Sequence, residues 1–125
     1  MNKQQILIDT NTLMAISELE IDIFSEIEAN CDFPYAIAVL QGTIDELQKI
    51  KKEQRVKYKR AAQLALALLK AKNVKILPEQ GDVDGLLIKH SRQGDIILTQ
   101  DQDLKSKLTK PYLTIRQKRK IILIE

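Results

Sequence analysis

The sequence predicts an α/β fold, a three-layer α/β/α domain with helices on both faces of a mainly parallel sheet. Patterns typical of strands and of helices alternate along the chain, as they do when parallel strands are connected through helices. The first strand pattern, at 6–9, is apolar up to its final residue, which is typical of a strand buried on both faces. The chain has 125 residues, 44% of them hydrophobic, so we expect a single domain over 1–125 with one core.

Short apolar runs bounded by turn residues predict the strands. The second run follows Pro34 and the third is stopped by Pro78, two residues that cannot continue a central strand. The last two runs flank a basic turn. The expected strands are 6–9, Tyr35–Leu40, 74–77, 95–99, Tyr112–Arg116 and Lys120–Ile124.

Helical periodicity fills the segments between these strands. The first helical segment reads as two pieces, and the side chains that we expect to face the core are Leu13, Ile16, Phe24 and Ile27. The Ala- and Leu-rich stretch at 61–69 has high helix propensity. The expected helices are 12–30, 43–52, 54–72, Val83–Arg92 and 102–108.

The composition excludes several kinds of site. Cys31 is the only cysteine, which leaves neither a disulfide framework nor a cysteine-based zinc site. His90 is the only histidine, and we expect it on a helix surface or half buried, without a role. Carboxylates must then carry any catalysis. No apolar run reaches the ~18 residues of a membrane helix and no signal peptide is visible, so we expect a cytoplasmic protein with no membrane partner.

Charge is distributed unevenly. Residues 1–40 carry one Lys and seven acidic residues, whereas 41–125 carry 19 basic and ten acidic residues. Two basic runs, at 49–60 and 116–120, either bind a polyanion or are ordinary solvated surfaces. The candidate contacts with a polyanion are Lys51, Lys52, Arg55, Lys59, Arg116, Lys118, Arg119 and Lys120.

Four carboxylates stand at the ends or edges of predicted elements. Asp9 and Asp101 follow strands, and the carboxyl ends of parallel strands form the ligand-binding edge of an open sheet. Glu46 and Asp84 border the apolar faces of their helices, near the same edge. Converging like charges need a cation, and an all-oxygen site suits Mg²⁺ or Mn²⁺. Taken singly, the aspartates could also be helix N-caps, with Asp82 an alternative cap beside Asp84, and Glu46 could be a surface residue.

These residues resemble the motifs of PIN-domain nucleases, in order along nearly the whole chain. The strings at 6–14 and 38–47 resemble the first two motifs, and those at 82–87 and 97–104 the third and fourth. Gly85 stands where the family usually has a second acid. The Thr-x-Asp-x-Asp-Leu string and the final strand pair make the chain similar to the archaeal and eukaryotic ribosome-processing branch, whose fold is similar to that of VapBC-type toxins.

The resemblance implies a five-stranded parallel sheet in the order 3-2-1-4-5 and endonucleolytic cleavage of single-stranded RNA that depends on Mg²⁺ or Mn²⁺. It implies that the catalytic and metal-binding residues are Asp9, Glu46, Asp84 and Asp101. Asp103 would support the metal, and Asn11 and Thr99 would hydrogen-bond the carboxylates or the RNA, although each could also be an ordinary turn or strand-end residue. The implied partners are a ribosomal RNA precursor or another single-stranded RNA, a second copy of the chain and, for a toxin, an antitoxin.

Two other interpretations remain at this point. The string from Asp9 to Thr12 partly resembles the nucleophile motif of haloacid-dehalogenase-like phosphatases, but Asn11 replaces the general acid/base and cannot perform that role. Alternatively, the chain is a non-catalytic scaffold or RNA-binding domain, an interpretation to which Gly85 gives some weight.

Overall fold

A computed structural model describes residues 3–53 and 55–125. The expected helix start at Gln54 lies outside these residues. The strands in the described ranges are β1 (Gln4–Ile8), β2 (Tyr35–Leu40), β3 (Lys75–Leu77), β4 (Ile96–Leu98), β5 (Tyr112–Arg116) and β6 (Lys120–Ile124). The helices are α1 (Thr10–Leu19), α2 (Ile23–Asn30), α3 (Gln41–Glu53), α4 (Val56–Ala71), α5 (Val83–Arg92) and α6 (Gln102–Ser106).

The described strands form one mixed sheet in the order β3-β2-β1-β4-β5-β6. The first five strands along the chain are parallel to one another, and β6 is antiparallel to β5. This confirms the expected order 3-2-1-4-5 and the strand pair at the C-terminal end. The carboxyl ends of all five parallel strands therefore lie at one edge, and the basic turn after β5 lies at that edge too.

The core occupies both faces of the sheet because side chains alternate along β1. Ile6 and Ile8 belong to the larger apolar cluster, with residues of α1, α2 and α4. Leu7 belongs to the second cluster, with Leu87 of α5 and Leu104 of α6. Each of these side chains is buried. The apolar run at the start of the chain therefore explains why helices cover both faces of the sheet. The four side chains expected to face inward from α1 and α2 are all buried.

Several observed elements differ from the expected ones in their bounds: β1 begins earlier and ends before Asp9, while β3, β4, α4 and α6 are shorter than expected. α1 and α3 each begin two residues earlier than expected, at Thr10 and Gln41, directly after the preceding strand. The expectation that His90 lies on the surface or is half buried is wrong, because this residue is only 8% exposed. Its ring nitrogens contact Asp95, at 2.7 Å, and Glu79. None of the described helices is both long and apolar enough to cross a membrane.

Candidate active site

Asp9 lies at the junction of β1 and α1 and is held from two sides. Its Oδ1 accepts a hydrogen bond from the backbone N–H of Thr12 at 2.8 Å, so it is the N-cap of α1. Its Oδ2 accepts a hydrogen bond from the hydroxyl of Thr99, which follows β4. Burial raises the pKa of Asp9 and the charge of Asp101 adds to this rise, while the hydrogen bonds from Thr12 and Thr99 act in the opposite direction.

Asp101 reaches the same place from the neighbouring strand. Its backbone N–H donates to the hydroxyl oxygen of Thr99 at 3.1 Å. Its Oδ1 accepts from the backbone N–H groups of Asp103, at 2.9 Å, and Leu104, at 3.2 Å, which makes it the N-cap of α6. Asp9 and Asp101 therefore each cap a helix, and each also lines the same cleft.

Glu46 approaches from α3. It is an exposed residue whose Oε1 accepts a hydrogen bond from the hydroxyl of Thr10 at 3.1 Å. Partial burial raises the pKa of its carboxyl group, and the charges of Asp84 and Asp9 raise it further. The interpretation of Glu46 as a surface residue is thus incomplete, because its carboxylate is within electrostatic reach of three other acids, Asp84, Asp9 and Asp82.

Asp84 lies in the first turn of α5, but it is not the helix cap. Asp82 is the N-cap, and its Oδ2 accepts the backbone N–H of Gly85 at 2.8 Å. Asp84 is left to face the cleft, where partial burial raises its pKa and the charges of Asp82 and Asp101 raise it further. A Cβ on Gly85 would lie 3.1 Å from the Asp82 carboxylate. The space at this position is therefore tight, which favours glycine where the family usually has a second acid.

The four carboxylates line one cleft of about 170 Å³ at the carboxyl edge of the sheet. Three further residues, Thr10, Asn11 and Val83, complete its lining. Thr99 lies beneath it, fully buried and bonded to Asp9.

Two residues of the site depart from what the sequence predicted. Asp103, the expected supporting ligand, is outside the lining; its side chain is 81% exposed and lies 3.3 Å from the ammonium of Lys107. Sequence reasoning missed Thr10, although its place directly after Asp9 and at the start of a helix was a usable signal.

The chemistry of this donor set fits a hard divalent cation. All four candidate ligands are carboxylates, which Mg²⁺ and Mn²⁺ prefer over nitrogen or sulfur. Burial is the main cause that raises the pKa values of Asp9, Glu46 and Asp84, and the charges of neighbouring acids raise them further, a cost that a cation would offset. Within the described ranges, no three acidic or other ligand side chains stand close enough to hold one ion. Glu46 and Asp84 are exposed, unlike the buried Asp9.

The two basic runs lie in different parts of the fold. The first covers the end of α3 and the start of α4, and the second forms the turn between β5 and β6. Arg116 is close enough to Lys105 of α6 to lower the pKa of that ammonium group, although burial is the larger cause. All eight candidate cations are exposed except Lys59, which is partly buried.

Comparison with known proteins matches residues 6–120 to a family model described as a PIN-like domain. The chain belongs to the PIN-like domain family. It is 29% identical over 121 residues to ribonuclease VapC4 of Methanocaldococcus jannaschii, an alignment that covers 92% of each protein. This confirms the resemblance found in the motifs and argues against the phosphatase interpretation.

Two solved structures share the fold of this PIN-like chain. The PIN domain endonuclease Utp24 superposes with a TM-score of 0.75 at 20% identity, over 95% of this chain and 90% of that one. PAE2754 from Pyrobaculum aerophilum superposes with a TM-score of 0.58 at 20% identity, over 90% and 92%. The α/β architecture and its sheet order are thus those of PIN domains.

Proposed function

We propose that this PIN-like protein is an endoribonuclease that cleaves single-stranded RNA and depends on Mg²⁺ or Mn²⁺. The observation that carries the proposal is the convergence of Asp9, Glu46, Asp84 and Asp101, supplied by four separate segments, on one cleft. Mutual repulsion among these charges is costly for a protein that binds nothing there. The curated relative is a ribonuclease, which supports the same activity here.

Each residue has a distinct task in this proposal. Asp9 and Asp101 are the fixed ligands, since backbone and Thr99 hydrogen bonds set their positions. Glu46 and Asp84 are the adjustable ligands, because they are exposed. When bound, the metal supplies the Lewis acid that activates water and stabilises the leaving oxygen. Asn11 lines the same cleft and can donate a hydrogen bond to the RNA.

The basic runs are the proposed contacts with the RNA backbone. Lysine and arginine that neutralise phosphates supply most of the affinity in sequence-independent binding. The turn at 117–119 lies at the same edge of the sheet as the cleft, so a strand bound in the cleft can reach it. Ribosomal RNA maturation and toxin-type cleavage would use the same chemistry. Growth arrest on expression, relieved by a co-expressed antitoxin, would favour the toxin role.

The test is cleavage of an end-labelled single-stranded RNA with Mn²⁺, with Mg²⁺ and with EDTA. We expect cleavage only with metal, and a loss of about 100-fold or more in Asp9→Asn, Glu46→Gln and Asp84→Asn. Asp45→Asn is the matched control for Glu46, because Asp45 is the preceding residue of α3 but bonds to Gln41 outside the cleft. Asp103→Asn tests the supporting ligand. RNA binding without cleavage in any metal would instead support the non-catalytic interpretation.

A further inference from the structure

A second and larger pocket adjoins the acidic cleft. It has a volume of about 450 Å³, within the roughly 300–1,000 Å³ typical of small-molecule sites, and lies between α1, α3 and α4. Asn11 lines both the pocket and the cleft. Gln100 also lines the pocket, and it is the residue between Thr99 and Asp101. A ligand that fills the pocket therefore lies directly beside the proposed metal site.

The pocket combines an apolar wall, an aromatic ring and a cation. Met14 and Ile50 supply aliphatic surface. Tyr58 lies at the start of α4 and remains 44% exposed. The ammonium of Lys57 is 5.9 Å from the centroid of the Tyr58 ring. A stacking ring beside a cation is the combination by which proteins bind single-stranded nucleic acid.

The polar part of the lining favours a nucleobase over an aliphatic ligand. Asn11, Ser17 and Gln100 each offer a donor and an acceptor, and Glu18 offers acceptors. The edges of nucleobases present donors and acceptors of this kind, while their faces are apolar. A simple apolar helix docked here would leave these polar groups without partners.

We propose that this pocket binds one unpaired base of the RNA, stacked on Tyr58, while an adjacent phosphate lies in the acidic cleft. The inference rests on the proposed function and extends it to substrate selection. A base inside a duplex is stacked and paired, so its face cannot reach the ring of Tyr58. The pocket would thus make the enzyme select single-stranded RNA, with Lys57 contacting the backbone next to the bound base.

Binding measured without cleavage tests the pocket separately from the chemistry. The probe is a labelled ten-nucleotide single-stranded RNA, titrated by fluorescence anisotropy into Asp84→Asn protein. A series of the same RNA carries one abasic site at each position in turn. We expect one abasic position to weaken binding by about 5- to 150-fold, the range for loss of one stacked base. Tyr58→Ala should cause a similar loss, and the two changes together should cost little more than either alone.

Matched variants separate stacking from charge and from folding. Tyr58→Phe keeps the ring and should bind nearly as tightly, whereas Tyr58→Leu keeps apolar bulk without an aromatic face and should not. Leu64→Ala is the control, since Leu64 is 40% exposed on the same helix but lines a different groove. Tyr58→Ala should leave the salt dependence unchanged, while Lys57→Ala should reduce the log-log slope by about 0.7.

The outcomes distinguish this inference from the nuclease proposal. The base site is wrong if the Tyr58→Ala variant binds RNA as tightly as the parent protein does. It is also wrong if the variant loses the same affinity for every abasic RNA. Either conclusion stands even if metal-dependent cleavage is observed. If one base position remains linked to Tyr58 but no metal supports cleavage by the wild type, the base site stands and the nuclease proposal falls.

Discussion

Thr99 and Asp9, 90 positions apart in the sequence, are joined by a hydrogen bond in which the Thr99 hydroxyl donates to the Asp9 carboxylate. The same hydroxyl oxygen accepts the backbone N–H of Asp101 at 3.1 Å. Thr99 is fully buried and Asp9 nearly so. One threonine therefore sets the positions of two of the four acids, which follow the neighbouring strands β1 and β4.

Replacing Thr99 with valine should cost about 1–3 kcal/mol of unfolding free energy, because the buried Asp9 carboxylate and the Asp101 N–H lose their shared partner. It should also raise the pKa of Asp9 further, since this hydrogen bond opposes the effect of burial. Urea titration measures the first effect. Thr99→Ser keeps the hydroxyl and should lose less. Thr114→Val is the control, because the buried Thr114 hydroxyl has no partner among the described residues. Equal losses in Thr99→Val and Thr114→Val would contradict the bridging role.

Substitutions of Asp82 and Asp84 should have different effects on stability in thermal melts. Asp82→Ala removes the N-cap of α5 and should cost roughly 0.5–2 kcal/mol both in EDTA and in Mn²⁺. Asp84→Ala removes one of several repelling charges, so in EDTA it should be as stable as the wild type or more stable. With Mn²⁺ at a hundredfold excess over Kd, the wild type should gain about 2.7 kcal/mol and Asp84→Ala much less. Equal destabilisation of Asp84→Ala in both conditions would exclude it as a ligand.

His90 should make stability depend on pH above neutrality. Burial lowers its pKa, but the hydrogen bonds to Asp95 and Glu79 outweigh burial and leave the pKa above the ordinary 6.5. Lys89, 3.9 Å from Glu79, and Gln5, which donates to Asp95, are further polar groups in this network. Because the folded-state pKa is raised, the stabilisation is fully present below pH 6.5 and is lost as the pH rises through the raised value.

Unfolding free energies from about pH 6 to about pH 9 measure this loss. The wild type should lose more stability over that range than His90→Gln, which has no titrating ring. Parallel pH profiles for the two proteins would show that the contacts of His90 with Glu79 and Asp95 are not ionic.

The absence of a side chain at Gly42 allows α3 to pack closely against α5. A Cβ on Gly42 would lie 2.7 Å from Cγ2 of Val83, a residue that lines the cleft and whose branched side chain turns only with difficulty. Gly42→Ala should therefore cost about 1–3 kcal/mol through overpacking, despite the better helix propensity of alanine. The double variant with Val83→Ala should recover part of this loss. Additive losses would place the strain elsewhere.

Charge reversal in the basic runs should change the salt dependence of RNA binding more than reversal of other surface lysines does. Reversing Arg55 and Lys59, or Arg119 and Lys120, should flatten the log-log salt slope of RNA binding by about 0.7 for each phosphate that is no longer neutralised. The control is reversal of Lys3 and Lys75, which lie at the amino ends of β1 and β3, the opposite edge of the sheet. A run whose reversal matches the control is a solvated surface and not part of the RNA site.

The sequence predicted the features that depend on local pattern. The apolar run through Ile8 specified a buried central strand, and the acids after β1 and β4 then had to share an edge of the sheet. The strands Tyr35–Leu40 and Tyr112–Arg116 were predicted to the residue, because prolines or a charged turn mark their ends.

Three features were not predictable from residue type or spacing. Asp82 and Asp84 are equally good caps by residue type, and only the backbone geometry of α5 shows which one accepts the Gly85 N–H. The burial of His90 depends on Glu79 in the preceding loop and Asp95 in the following one, and neither carries a motif. The pocket beside the cleft likewise joins residues of α1, α3 and α4 whose spacing in sequence has no pattern.

The hydrogen bond between Thr99 and Asp9 also bears on when the candidate site is assembled during folding. It can form only after β4 has paired with β1, and pairings between such distant segments form more slowly than helices do. A fragment that ends before β4 would have helices and a first strand pair, but no site. Recovery of cleavage during refolding should therefore lag behind recovery of the helical circular dichroism signal. The length of that lag would measure the time that β4 needs to pair with β1.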